Sequence, residues 1–223
     1  MSNEGGAPRT GRRNWLALSG LLFVALVTAA FTPISSIPGV RDSQDTVTAF
    51  YSNPASITNV LAAAYLVPIA GIIFLVFMGV LRIQFSPVRE RGERFRWTVV
   101  NGSGILFIAC LFIATAVAAS PAASVAFLGA PPPSTTTLAP VVEVSSLLLF
   151  LFSMRSAASF MIFASLLGLQ NHSLPRWLTI AGLVLGLALL LSITYASAFL
   201  LLLPVWVAAA SIYMFLRPAA RDS

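Results

Sequence analysis

The chain contains no lysine: all 13 basic residues among its 223 are arginine. A lysine Schiff base to retinal or another aldehyde is therefore excluded. There is one histidine, His172, and one cysteine, Cys110. Single copies cannot build a His- or Cys-rich metal site or a disulfide framework, so neither a metal nor another cofactor is expected. Charge is scarce as well, at 9% of residues, where a soluble domain carries about a quarter. Hydrophobic residues make up 58%. That balance excludes a disordered chain and a soluble single-core domain, and it defines a polytopic membrane protein.

A helix needs about 20 apolar residues to cross the hydrocarbon core. Apolar blocks run over 15–32, 57–85, 97–119 and 141–169, and one long block covers 177–216. As a single helix the last block would reach about 60 Å at 1.5 Å per residue, twice the core. It is cut into spans 177–194 and 198–216, with a turn at Tyr195, Ala196 and Ser197. The expected fold is an all-α bundle of six transmembrane helices, one domain over 15–217, with cytoplasmic tails at 1–14 and 218–223. Arginine placement sets the orientation. Six spans put Arg9, Arg12, Arg13, Arg82, Arg89, Arg91, Arg94, Arg96, Arg176, Arg217 and Arg221 on one face, and Arg41 on the other beside Asp42 and Asp45. Both termini are then cytoplasmic. Trp15, Trp97 and Trp177 each open a span near an arginine, as interfacial tryptophans do. The first span also has the shape of a secretory signal ending at Ala29 and Ala30; its length favours a retained span.

Outside the bilayer, Asp42 is expected to cap a short helix with Val47, Phe50 and Tyr51 on one face, ended by Pro54. That helix reads as an interfacial element or as a lid over a pocket. The stretch 120–140, with Pro131, Pro132, Pro133, Thr135, Thr136 and Thr137, reads as extended and solvated. No loop is long enough for a soluble catalytic domain. The loop from Arg82 to Arg96 carries Arg82, Arg89, Arg91, Arg94 and Arg96 with Glu90 and Glu93, a net +3, which suits topology fixing or anionic lipid head groups. A face of charge spread along a membrane is a poor nucleic-acid site.

Enzyme signals are mostly absent. Asn101-Gly102-Ser103-Gly104 approximates an intramembrane serine protease motif, but no membrane histidine activates Ser103. No aspartate lies in a span. The sequons at Asn101 and Asn171 fall on or near the cytoplasmic side.

One charge is out of place. Arg155 is expected near mid-depth of the fourth span, where an arginine costs at least about 2.5–3.5 kcal/mol on insertion scales. Glu143 is twelve residues away on the same helix, roughly 18 Å along the axis, and does not reach it. Pro68 frees the carbonyl of Ala64 at matching depth in the second span. Arg155 is therefore expected to donate to Ala64, with Tyr65 contributing, either as glue between two helices or as an anion or head-group site. Glu143 is placed in the first turn of its helix, where a carboxylate is favoured by the dipole; burial would instead make it a titrating, proton-coupled group. Gly182 and Gly186 form a GxxxG pair for close helix packing, within the chain in preference to a dimer. Pro204 suggests a second kink, and no inverted repeat is evident.

Leu174-Pro175-Arg176-Trp177-Leu178 followed by Gly182 resembles the start of the penultimate helix in a broad family of bacterial multi-pass membrane proteins, the domain-of-unknown-function 4386 type. The stretch 45–53 and Leu203-Pro204-Val205-Trp206 are similar to that family's pattern as well. The resemblance implies a bacterial inner-membrane protein and no known activity. The expected function is a non-enzymatic accessory or small-ligand/lipid-binding membrane protein; the alternative is a small transporter or channel using Arg155.

Overall fold

A computed structural model describes residues 16–85, 91–192 and 197–216. Trp15, Arg89, Glu90, Tyr195, Ala196, both tails and their arginines lie outside the described residues. Among the described residues the chain is helical, with no strand. The helices are α1 (Ser19–Ser35), α2 (Gln44–Tyr51), α3 (Pro54–Gln84), α4 (Arg91–Leu128), α5 (Thr135–Ser146), a π-helical segment (Leu147–Ser153), α6 (Met154–Gln170), α7 (Arg176–Leu191), a 3-10 turn (Ser197–Leu201) and α8 (Leu202–Leu216). Four helical stretches are long and apolar enough to cross a membrane: Pro54–Gln84, Arg91–Leu128, Thr135–Gln170 and Phe199–Leu216. Ser19–Ser35 and Arg176–Leu191 are shorter apolar helices.

Local chemistry explains the boundaries. Asn53 caps α3 by accepting from Ala55 N, with Pro54 in the first turn, where a missing N–H costs nothing. Ser134 Oγ accepts from Thr137 N and starts α5. The helix thus begins six residues before the expected 141, and Thr135 to Thr137 form its first turn instead of extended chain. The preceding helix runs on through Pro121 to Leu128, so only 129–134 of the expected loop is non-helical. Ser43, not Asp42, caps α2 by accepting from Thr46 N; the Asp42 carboxylate accepts from Gly39 N at 2.7 Å. The long final apolar block is broken: α7 stops at Leu191, and Ser192 turns to an extended conformation. Pro204 lies in the first turn of α8 and needs no kink.

The apolar helices close into a ring. α1 packs on α3 and α8, α3 on α4, α4 on α6, α6 on α7, and α7 on α8. Phe74 of α3 stands at the centre. Its ring centroid lies 4.8 Å from Phe23 of α1, 5.5 Å from Phe107 of α4 and 5.2 Å from Phe160 of α6. Phe160 meets Trp206 of α8 edge-on at 6.2 Å. Trp206 Nε1 donates to Leu178 O of α7 at 3.2 Å. One aromatic plug thereby touches all six ring helices, and aromatic pairs of this kind add about 0.5–1.5 kcal/mol each beyond burial.

Gly182 and Gly186 face the inside of this chain. A Cβ at Gly182 would overlap Ser165 Oγ of α6 and Trp206 Nε1 of α8; one at Gly186 would press on Ile162 and on Ala158 O, 3.2 Å away. Gly182→Val is expected to lower the thermal midpoint in detergent, with a loss of about 1–3 kcal/mol from overpacking. Gly79→Ala, where a Cβ meets nothing within 4 Å, should melt like the wild type in the same thermal scan.

Candidate functional site

Helix lengths differ, and the difference shapes the molecule. At 1.5 Å per residue α4 is about 57 Å long, longer than its neighbours. The start of α3, the end of α4 and the start of α5 meet in a cap built on α2. Val47 and Tyr51 of α2 are buried against Ile57, Val60, Ala119, Ala122 and Leu138. The apolar face of α2 is thus satisfied by protein, not by the outer leaflet. Gln44 clamps the cap: its Nε2 donates to Pro133 O at 3.2 Å and its Oε1 accepts from Thr135 N at 2.8 Å.

Between this cap and the aromatic plug lies a cavity of about 260 Å³ inside the ring. α1, α4, α5, the π-helical segment and α8 supply most of its wall, with Val67 of α3 and Leu189 of α7. The wall is chiefly aliphatic and aromatic, with small residues such as Ala30, Ala114 and Ala118 leaving the space. A space with so apolar a wall suits an apolar molecule. Nothing in the apolar pattern marks the space in advance. The only sequence trace is the set of small and hydroxyl residues, Ala118, Ser145, Ser146 and Ser153, in otherwise bulky runs.

Arg155 does not reach Ala64. Its Nη1 donates to Phe150 O at 2.7 Å and its Nη2 to Ser192 O at 2.5 Å. Both acceptors have a physical origin. Met154 N donates to Leu149 O, five residues back. A ladder returning from that spacing to the α spacing steps past a carbonyl, and Phe150 O lies at that junction. Ser192 O lies at the C-terminal end of α7, where the dipole favours a cation. Arg155 is thus a latch between α6 and the end of α7. Ser192 lies roughly 24 Å of helix rise from Arg176, so the guanidinium sits nearer the capped end than mid-depth.

Of the residues expected at this site, Tyr65 and Pro68 face outward, while Ala64 is half-buried against the cap cluster. Tyr65 is 74% exposed and Pro68 is exposed, while Val67 and Ala70 turn inward. Glu143 is exposed and lies in the third turn of α5, not the first, because that helix starts at Thr135. Ser103 donates to Val99 O and Val100 O. His172 is exposed in the turn after α6, with a left-handed φ of 48°. Among the described residues no group of three His, Cys, Asp or Glu side chains is placed to hold a metal. Arg91 and Arg94 are exposed at the start of α4, Arg96 is half-buried, and Arg82 stacks over Trp97 at 5.8 Å. No family model matches the chain, and no curated protein or solved structure does.

Bonds from a charged donor are worth about 1.5–3 kcal/mol each, and a buried arginine costs about 2.5–3.5 kcal/mol to insert. Two such bonds, about 3–6 kcal/mol together, offset most or all of that cost. Arg155→Leu is therefore expected to lower the thermal midpoint in detergent although it makes the span more apolar. Arg155→Lys, without the two-armed fork, should fall between. A leucine variant melting above the wild type would show that the latch contributes nothing.

Tyr51 gives the cap a pH limit. Its hydroxyl is buried with no partner among the described residues. Burial pushes the phenol from 10.0 up to about 12. The raised folded-state value means the contribution is complete below pH 10 and is lost as pH rises through about 12. Hydrogen exchange of 44–51 should accelerate between those values, and Tyr51→Phe should remove that alkaline step with no loss of stability at neutral pH.

Proposed function

We propose that the chain is a six-span integral protein of a bacterial inner membrane, with both termini cytoplasmic, that holds a lipid-like apolar molecule without acting on it chemically. The cavity of about 260 Å³ inside the helix ring carries this reading. The ring supports counting α1 and α7 as spans, since each packs between two other ring helices. The orientation is supported by Arg82, Arg91, Arg94 and Arg176, which stand at one end of the ring. That end is joined by Gln84 Nε2 donating to Ser173 O and Asn171 Nδ2 to Phe85 O. The exposed Arg91 and Arg94 suit anionic head groups there. The bacterial setting rests on the motifs at 174–178 and 203–206 that resemble the 4386-type family.

Binding is favoured over conduction by two observations. The plug around Phe74 fills the ring axis below the cavity. Arg155, the candidate anion site, has two of its donors engaged by backbone carbonyls. Native mass spectrometry tests the reading. The wild type is expected to retain a lipid-sized adduct that Ala118→Phe, which fills the cavity, loses at an unchanged thermal midpoint. Wild type and variant both flying bare would overturn it.

A further inference from the structure

The wall of the cavity carries five hydroxyl side chains: Ser35, Thr115, Ser145, Ser146 and Ser153. A hydroxyl has one proton to give and two lone pairs. Four of these protons are already committed to backbone carbonyls. Ser35 donates to Thr32 O at 2.9 Å, Thr115 to Leu111 O at 2.8 Å, Ser145 to Val142 O at 3.0 Å and Ser153 to Phe107 O at 3.3 Å. What these four show the cavity is lone pairs. Ser146 makes no hydrogen bond among the described residues and is free to donate or accept. No arginine lines the space, and Nη1 and Nη2 of Arg155 are turned to Phe150 O and Ser192 O.

We infer that the cavity selects an uncharged, hydroxyl-bearing apolar chain, a long-chain alcohol or a glyceride with a free hydroxyl, over an ionised fatty acid or phospholipid. The inference rests on the lipid-binding reading above and adds the chemical class. A carboxylate or phosphate needs several donors, and this wall offers one. Burying an ion without a partner is far more costly than burying a hydroxyl. A ligand hydroxyl is satisfied in both directions: it donates to a wall oxygen and accepts from Ser146. Ser35 closes α1, and Ser145 and Ser146 close α5. Ser146, the wall hydroxyl still free to donate, sets the polar end about two turns of α5 beyond the Leu138 that packs in the cap.

The test uses two photoreactive probes in phosphatidylcholine nanodiscs holding the full chain: a diazirine-bearing hexadecanol and its phosphate monoester, anionic at neutral pH. Labelled peptides are mapped by mass spectrometry. The alcohol is expected to label residues 107–118 and 142–157 at least fivefold more than the phosphate. Ala118→Phe or Val142→Phe should abolish that labelling, and Ser146→Ala should cut the preference severalfold. Equal or stronger labelling of the same residues by the phosphate overturns the neutral class and leaves the lipid site standing. Labelling by either probe confined to the outer helix faces overturns both. The comparison on the wild type needs no variant to fold.

Discussion

Hydrocarbon offers a backbone carbonyl nothing to bond to, and the structure is organised around that constraint. Two departures from a regular α-helix, the π-helical segment and the end of α7, present carbonyls that one side chain reaches. Where the ladder changes pitch after Leu147–Ser153, Arg155 supplies Nη1 to Phe150 O. Where α7 stops, the same side chain supplies Nη2 to Ser192 O. The serines and threonines obey the same rule on a smaller scale, turning their protons back to carbonyls three or four residues earlier. A charge in an apolar helix thus serves to complete the backbone, and the wall hydroxyls become acceptors as a consequence.

Space is divided along the ring. At the arginine-rich end and in the middle, aromatic rings interlock. Toward the other end, alanines replace them and the axis opens. The glycines are placed where the closed part needs close approach: Gly182 admits the Trp206 indole, and Gly20 lies against Ser211 of α8. The two parts share a boundary, since Phe107 stacks in the plug and also lines the cavity.

The sequence was most informative about what depends on composition and spacing. The helical class, the break in the last apolar block, the isolation of Arg155 and the closeness implied by Gly182 and Gly186 all follow from residue types at fixed intervals. The partner of Arg155 did not. Depth counted along two helices brought Pro68 level with it, yet rotation about the α3 axis turns Pro68 and Tyr65 outward, and apolar residues on every face hide that rotation. The π-helical segment was invisible for a related reason: Leu147 to Phe152 are equally at home in either ladder. The cavity is a volume left between helices, and residue types record only which side chains are small.

The Gln44 clamp ties together parts of the chain made far apart in time. Gln44 bonds to Thr135, 91 residues further along, and the surface that buries Val47 and Tyr51 includes Ala119, Ala122 and Leu138. At about 5–20 residues per second of synthesis, α2 waits roughly 5–18 s with its apolar face unpartnered before α5 emerges. α6, α7 and α8 follow α5 in the chain, so all the residues of the cap are made before the ring beneath it can close, and the chamber has its roof before its last wall.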